Sequence, residues 1–260
     1  MDLETAKDVV FLYTKSVKDP KVRFFGGEPL LNFSLIKKIV KEMSGFDFDL
    51  TTNGLLLEEK HLRFFRSNPK VELIISSGYK EILGKKELIK KVADLPNTSI
   101  NLNLTQDNLG DHSKIFNEFV EVGFNSFNFL PIYYTSWSNE NLRKLKQDFS
   151  EIVRRVKKED VLVKNIDNYS PVPLFNIKPV VDCDGAIYAG NMFLDKRVNP
   201  FKKHLKIGEV PSLEEWKGVE EKVANFDYNQ ILKKLFSKEE LQSTKKVDSI
   251  LTNFVNKIKK

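Results

Sequence analysis

The amino-acid sequence predicts an α/β fold, built as an open, partial (β/α) barrel with parallel strands. Strand and helix signals alternate over residues 1–158, and the strands end about every 26 residues, which is typical of repeated parallel βα units. Some strands, such as Val71 to Ile75, are rich in apolar residues, as strands covered on both faces are. The 260 residues suffice for one such domain with a small appended module.

Hydrophobic periodicity assigns the elements of this domain in chain order. Residues 2–17 carry apolar side chains at helical spacing and predict an opening helix. Five strands are then predicted, with ends near Phe25, Thr51, Ser76, Leu104 and Leu130. Helix patterns follow them at residues 33–43, 57–67, 83–94, 111–122 and 138–158, with Asn32 as the N-cap of the first of these.

The βα spacing ends after residue 158. Residues 169–173 contain two prolines and predict a linker, and residues 175–188 predict two strands around a turn at 182–185. Ser212 with Glu215 predicts a helix start, and residues 229–260 contain two amphipathic helix patterns. We therefore expect three parts: a barrel domain at 1–160, a hairpin module at 161–228 and a helical tail at 229–260.

Composition limits the classes of function. The net charge of +6 comes from lysines spread over helix surfaces, so no nucleic-acid partner is predicted. No apolar run has membrane-spanning length and residues 1–15 lack the pattern of a secretory signal, so we expect no membrane partner and a cytoplasmic location. Cys183 is the single cysteine, which excludes disulfides within the chain and an iron–sulfur cluster held by several of its thiolates.

The loop after the first strand is the leading candidate site. Gly26 and Gly27 let the backbone approach a ligand without a Cβ atom in between, Glu28 supplies a fixed carboxylate, and Pro29 stiffens the exit. Backbone groups can bind the carboxylate or amino group of a small zwitterion while Glu28 faces its cationic amine. A tight turn is the alternative interpretation of the two glycines alone.

Polar or glycine-rich residues also follow the other predicted strands. Parallel βα repeats bind ligands at the carboxyl ends of their strands, so we expect these residues at one rim. Each alone would be a turn or capping residue, but together they predict a site for a nucleoside with a charged tail. They are Thr52, Asn53, Ser76, Asn103 and Pro131.

The string Gly26-Gly27-Glu28-Pro29 resembles the Gly-Gly-Glu-Pro motif of the radical S-adenosylmethionine superfamily. The phenylalanines before it and Leu30-Leu31-Asn32 after it are similar to the peptide-modifying branch, which carries a SPASM or twitch-like C-terminal module. Residues 52–54, Thr-Asn-Gly, and residues 75–78, Ile-Ser-Ser-Gly, resemble that branch too, with Ser77 where an aspartate is usual.

The resemblance implies S-adenosylmethionine as cofactor and a peptide or protein as substrate. The glycine loop would hold the methionine end of the cofactor, Ser76 its carboxylate or ribose, Asn103 the ribose, and the backbone of residues 128–131 the adenine. Thr52 and Asn53 match residues that follow the next barrel strand in the family. The fold implied is the radical S-adenosylmethionine barrel without its first strand, and the exposed sheet edge invites self-association.

The family's [4Fe–4S] cluster has no ligands in this sequence. Its CxxxCxxC loop would precede Met1, and the auxiliary cysteine position of the hairpin is occupied by Ala189. His61, His112 and His204 are far apart, and we interpret each as a surface or capping residue, so neither metal ligands nor catalytic residues are assigned.

Three hypotheses remain open at this stage. The chain could be a peptide-modifying enzyme recorded without its cluster loop and inactive alone. It could be a degenerate relative that serves as a peptide-binding or scaffold module. It could also be an unrelated α/β protein that binds an anion at the glycine loop.

Overall fold

The computed structural model describes residues 1–17, 20–76, 79–166, 177–210 and 216–260, and only the backbone of residues 79–81. The α-helices are α1 Leu3–Ser16, α2 Phe33–Glu42, α3 Glu59–Ser67, α4 Tyr79–Gly84, α5 Lys86–Ala93, α6 His112–Val122, α7 Asn139–Val156, α8 Lys202–Leu205, α9 Lys217–Ala224, α10 Tyr228–Leu235 and α11 Lys238–Lys259. The strands are β1 Lys21–Phe24, β2 Asp47–Thr52, β3 Val71–Ile75, β4 Thr98–Leu104, β5 Ser126–Pro131, β6 Leu162–Val163, β7 Val180–Val181, β8 Ala186–Tyr188 and β9 Lys206–Glu209. Over these ranges, every helix is too short or too polar to span a bilayer.

Strands β1 to β6 form one six-stranded sheet in sequence order, and the pairs β3–β4, β4–β5 and β5–β6 are parallel. This arrangement confirms the predicted α/β fold with parallel strands and alternating helices. Each of the five predicted strands ends within one residue of its expected end. The sixth strand was not predicted, because two residues are too few to show a period.

The helix predicted around residues 83–94 corresponds to α5, Lys86–Ala93, and a further helix, α4, ends just before it. Helix α4 ends at Gly84, and Lys85 has φ −90° and ψ 58°, outside the helical region. The Lys85 N–H donates to Ile82 O and closes the last turn of α4. Glycine has the lowest helix propensity of any residue except proline, and the break falls beside it.

The chain forms two compact units. The first unit contains Met1–Gly26, Asn32–Phe48 and Ser170–Ser237, and the second contains Gly27–Leu31, Asp49–Tyr169 and Lys238–Lys260. The expected parts at 1–160, 161–228 and 229–260 remain predictions. Each unit has its own buried core.

Aromatic side chains cover one face of the sheet in the second unit. Phe127 and Phe129 of β5 pack against Phe116 of α6, and Phe129 also meets Phe149 of α7 and Phe254 of α11. All five rings are buried, and burial of a phenylalanine side chain contributes roughly 1.5–3 kcal/mol. Helix α11 therefore packs into this core, as its amphipathic pattern predicts.

The first unit contains a small antiparallel sheet of three strands in the order β7-β8-β9. The turn between β7 and β8 is closed by the Gly185 N–H, which donates to Asp182 O over 3.0 Å. The third strand, Lys206–Glu209, is an addition to the predicted hairpin. The predicted linker at 169–173, the start of the predicted hairpin at 175, and the residues Ser212 and Glu215 lie outside the described residues.

Candidate functional site

The loop between β1 and α2 has an unusual backbone. Gly26 and Gly27 have φ values of 95° and 50°, in the left-handed region that favours glycine. Among the described residues, a Cβ atom at Gly27 would meet no heavy atom within 4 Å, and one at Gly26 would meet only Leu194 Cδ2 at 4.0 Å. Conformation rather than crowding therefore requires glycine here, and the space beside the loop is open to a ligand.

Glu28 ties this loop to the end of β2. Its Oε1 accepts hydrogen bonds from Leu30 N at 3.1 Å and from Thr52 Oγ1 at 2.8 Å, and its Oε2 accepts one from Asn53 N at 3.1 Å. A carboxylate has about four acceptor positions, so the protein uses most of those on Glu28. Its observed role is to fix the loop, and little of the carboxylate is left for the ligand amine that the sequence suggested.

Thr52, Asn53 and Gly54 form a tight turn at the carboxyl end of β2. The Gly54 N–H donates to Thr52 Oγ1 at 3.1 Å, and the Leu55 N–H donates to Asn53 Oδ1 at 2.9 Å. The same Thr52 hydroxyl donates to Glu28, so it links the turn to the glycine loop. The oxygens of both side chains are thus used within the protein.

The remaining predicted site residues follow along the same edge of the sheet. Ser76 is half-buried, and its N–H donates to Thr52 O at 2.8 Å. Asn103 is half-buried beside Leu130, and its side chain makes no hydrogen bond to any described residue. Pro131 is buried beside Leu104. Glu28, Thr52, Asn53 and Ser76 are therefore joined by hydrogen bonds, whereas Asn103 and Pro131 stand further along the sheet.

Asn32 and Pro29 complete the loop with a 3₁₀ turn over Pro29–Asn32. Asn32 is the N-cap residue of α2, as predicted, but its side chain makes no capping hydrogen bond. Ser77 and Gly78 of the Ile-Ser-Ser-Gly segment lie outside the described residues.

One face of the sheet carries polar side chains, and this was not predicted from the sequence. Ser99 Oγ donates to Glu72 Oε1 at 2.7 Å, and Lys164 Nζ forms an ion pair with the same carboxylate oxygen. Asn128 Nδ2 donates to Asn101 Oδ1 at 3.2 Å. The alternation of Ser99, Asn101 and Asn103 with apolar residues along β4 is the signal that could have revealed this face.

The loop after β5, residues 132–137, was also missed. Tyr134 has φ 57°, and its N–H donates to Thr244 Oγ1 at 2.7 Å, while the Trp137 N–H donates to Ser243 Oγ at 2.8 Å. Tyr133 Oη donates to Asp248 Oδ1 at 3.4 Å. Burial raises the pKa of both Tyr133 and Asp248.

The histidines and the cysteine do not assemble into a metal centre within the described ranges. His61 Nδ1 accepts from Glu58 N at 2.9 Å in a capping box, which confirms its capping interpretation. The surface interpretation of His112 is wrong, because this residue is wholly buried between Asp148 Oδ2, 2.9 Å from its Nδ1, and Asn108 Oδ1 at its Nε2. Cys183 is exposed in the β7–β8 turn.

A groove of about 620 Å³ lies in the first unit, and none of the predicted site residues lines it. Its lining comes from β9, from α9 and from the segment that follows α9, and includes Ile207, Lys222 and Phe226. Lys222 Nζ donates to Ile207 O at 2.9 Å. The predicted ligand residues therefore do not belong to this groove.

Sequence comparison gives limited similarity. No family model matches the chain. The uncharacterized protein MJ0907 of Methanocaldococcus jannaschii is 38% identical over 66 residues, and this match spans 23% of each protein.

Comparison with solved structures gives similarity over almost the whole chain. A structure of anSMEcpe with bound AdoMet has a TM-score of 0.67 at 16% identity and covers 97% of this chain and 85% of its own. A structure of anSMEcpe with bound AdoMet and the Kp18Cys peptide has a TM-score of 0.66 at 16% identity, with coverages of 97% and 89%. SuiB of Streptococcus suis has a TM-score of 0.57 at 12% identity, with coverages of 75% and 55%. The chain therefore has the fold of these structures.

Proposed function

We propose that this chain is a member of the radical S-adenosylmethionine superfamily, from its peptide-modifying branch, and that it binds S-adenosylmethionine at the loop of residues 26–29. The structural neighbours are radical S-adenosylmethionine enzymes, and structures of them contain AdoMet and peptides, which supports this assignment. The observation that carries the proposal is the hydrogen bonding of Glu28. This residue fixes the glycine loop against Thr52 and Asn53, at the strand ends where parallel sheets bind ligands.

The residues present fit the cofactor. S-adenosylmethionine carries an amino acid group and a nucleoside on a positively charged sulfur, so it needs polar contacts at two ends. Gly26 and Gly27 offer open backbone for the amino acid end, and Ser76, directly after β3, is bonded to Thr52 of β2. Asn103 offers an amide without a hydrogen bond to any described residue, which suits a ribose hydroxyl.

The residues present do not fit the [4Fe–4S] cluster. Iron–sulfur clusters are held by several thiolates, and the chain has one cysteine, Cys183, in an exposed turn. We therefore propose, in addition, that the chain by itself does not cleave the cofactor reductively. A peptide-binding or scaffold role without catalysis is compatible with the same binding site, and the hairpin module would be the twitch-like part.

An unrelated anion-binding protein is the second candidate. In that case the backbone of Gly26 and Gly27 alone would bind an anion such as phosphate, and Asn103 would have no part in binding. The two candidates differ in whether the nucleoside is needed.

Isothermal titration calorimetry with S-adenosylmethionine tests the proposal. We expect saturable binding to the wild type and binding at least about tenfold weaker to two variants. Glu28→Ala loses the hydrogen bonds that fix the glycine loop, and Asn103→Ala loses a polar contact with the cofactor worth about 1–2 kcal/mol. Glu121→Ala on the exposed side of α6 is the matched control and should bind as the wild type does. Circular dichroism verifies that each variant is folded.

Two results would overturn the assignment. One is the absence of binding heat with the wild type at millimolar cofactor. The other is phosphate binding that equals S-adenosylmethionine binding and is unchanged by Asn103→Ala, which would favour the anion-binding alternative.

A further inference from the structure

The face of the sheet opposite the phenylalanine core carries several neutral polar side chains, together with the charged Glu72 and the apolar Ile74 and Leu130. Side chains alternate along a strand, so Phe127 and Phe129 face the helices while Ser126 and Asn128 face the other way. On β4 the buried residues Ile100 and Leu102 alternate in the same manner with Ser99, Asn101 and Asn103. This surface is called the inner face below.

Two asparagines lie side by side on the inner face. Asn101 and Asn128 are direct partners in the parallel register of β4 and β5, and both are half-buried. Asn128 Nδ2 donates to Asn101 Oδ1 over 3.2 Å. This bond orients the two amides relative to each other, because it fixes which end of each group faces its neighbour.

The pair keeps unused donor and acceptor groups for a ligand. A primary amide has two N–H donors and an oxygen with two lone pairs, and the single bond uses only one N–H of Asn128 and one lone pair of Asn101. Neither side chain makes another hydrogen bond within the described part of the chain. Asn101 Nδ2 and Asn128 Oδ1 therefore remain wholly unused, and the second N–H of Asn128 and the second lone pair of Asn101 Oδ1 are unused as well.

The nearest charged groups on this face are already paired. Glu72 accepts from Ser99 Oγ at 2.7 Å and forms an ion pair with Lys164 Nζ. Ser126 lies on the same face two residues before Asn128, and its buried hydroxyl has no hydrogen-bond partner among the described residues. A ligand at the asparagines thus meets neutral donors and acceptors.

We propose that Asn101 and Asn128 form a binding site for a neutral amide, supplied by a carboxamide side chain or by a peptide backbone. An amide presents an N–H to Asn128 Oδ1 and a C=O to Asn101 Nδ2, so both unused groups are satisfied. A carboxylate has no donor for Asn128 Oδ1, and an ammonium has no acceptor for Asn101 Nδ2, so each would leave one of these groups unsatisfied. Asn101 lies two residues before Asn103 on β4. This role rests on the proposed function: the site would select the substrate group that lies next to the cofactor.

Nuclear magnetic resonance of the Asn101 and Asn128 side-chain amides tests the site without any cofactor. The probes are N-acetylglutamine N-methylamide, its isosteric glutamate analogue, and N-acetylalanine N-methylamide. We expect the glutamine probe to shift both resonances saturably, and the glutamate probe to bind at least about tenfold more weakly, because its charge lacks a partner. Binding of the alanine probe equal to that of the glutamine probe identifies a backbone amide as the recognised group, and weaker binding identifies the side chain.

Variants supply the second part of the experiment. Asn101→Leu and Asn128→Leu should each abolish the response of the remaining asparagine, whereas Asn256→Ala on the exposed side of α11 should leave it unchanged. The same spectra verify folding, and the wild-type titrations decide the question if a leucine variant does not fold.

The proposal is wrong if the glutamate probe binds as tightly as the glutamine probe while the alanine probe binds more weakly, or if no probe shifts these resonances saturably. Equal binding of all three probes identifies the backbone amide that they share. The proposal is also wrong if adenosine shifts the resonances and the glutamine probe does not, because the pair would then belong to a nucleoside. Since no S-adenosylmethionine is present, this failure is distinct from a failure of the calorimetric test.

Discussion

Glu28 is the residue on which the conformation of the glycine loop depends. Its carboxylate receives three donors, two of them from the turn after β2. Hydrogen bonds to a charged group contribute about 1.5–3 kcal/mol each, so these bonds hold the loop even though both glycines are conformationally free. The glycine loop is therefore fixed before any ligand binds.

The sequence indicates Glu28, Thr52 and Asn53 separately, as residues that follow two strands. It does not indicate that they bind one another, since 24 residues separate Glu28 from Thr52 and the hydrogen bond depends on the placement of the two strands. Asn101 and Asn128 were missed for the same reason. Their partnership follows from the register of β4 and β5, which no local pattern specifies.

Asp248 gives the stability of the protein a distinctive pH dependence. Burial raises its pKa above the ordinary value of 3.8, with the Tyr133 hydrogen bond opposing this shift. The folded protein therefore binds this proton more tightly than the unfolded chain does, so the Asp248 contribution to the free energy of unfolding is lost as the pH rises above 3.8.

We expect Asp248→Asn to remove this loss, because an amide oxygen still accepts from Tyr133 and carries no charge. Urea unfolding should show the variant as more stable than the wild type near pH 7 and equal to it near pH 3, about one unit below the ordinary aspartate pKa. A variant that is less stable than the wild type near pH 7 contradicts this account.

Helix α11 and the loop after β5 form one structural element in the second unit. Thr244 and Ser243 are buried on the helix and accept the N–H groups of Tyr134 and Trp137. The positive φ of Tyr134 costs roughly 1–3 kcal/mol for a residue other than glycine. These hydrogen bonds offset that cost, so the helix holds the loop in a conformation it would otherwise leave.

We expect Thr244→Val to release this loop, because valine has the shape of threonine and lacks the acceptor. Hydrogen exchange of residues 132–137 should become at least about tenfold faster, with the sheet unaffected. Thr244→Ser keeps the hydroxyl and should restore slow exchange, and Thr252→Val on the exposed side of α11 is the matched control. Unchanged exchange in Thr244→Val would show that the hydroxyl is not needed.

The long, periodic elements follow from the sequence, and the short ones do not. The βα spacing predicts five strands and most helices, because each buries an apolar face of regular period. Strand β6 has two residues and carries no period, and the equally short β7 was predicted only through the turn at 182–185 that follows it. The loop of residues 132–137 depends on contacts with residues 243–248, more than 100 positions later, which local reasoning cannot detect.

At the scale of the whole molecule, the fold is shared with structures of only 16% identity over 97% of the chain. Such similarity rests on the pattern of apolar faces rather than on particular residues. It therefore indicates the architecture of the protein but does not indicate its chemistry. Chemistry depends on individual side chains, and the proposed inactivity of the isolated chain rests on its single cysteine.

Iron analysis tests that inactivity for the intact protein. After anaerobic incubation with iron, sulfide and reductant, we expect the wild type to hold no stoichiometric [4Fe–4S] cluster, because several thiolates are required. Cys183→Ser should give the same iron content as the wild type, and a chelator should leave the unfolding temperature unchanged. About four irons and four sulfides per wild-type chain would refute the prediction.

Ala189 follows β8 of the small antiparallel sheet and, among the described residues, has no room around it for a metal ligand to reach solvent. It is wholly buried, with its N–H bonded to Leu205 O, directly after Tyr188, whose ring stacks on Phe193 at 4.1 Å between centroids. Lys202 lies over both rings, 5.2 Å from each centroid. A cysteine engineered at this position would therefore be buried beside the aromatic rings and Lys202, so a metal site here would require further substitutions of the surrounding residues.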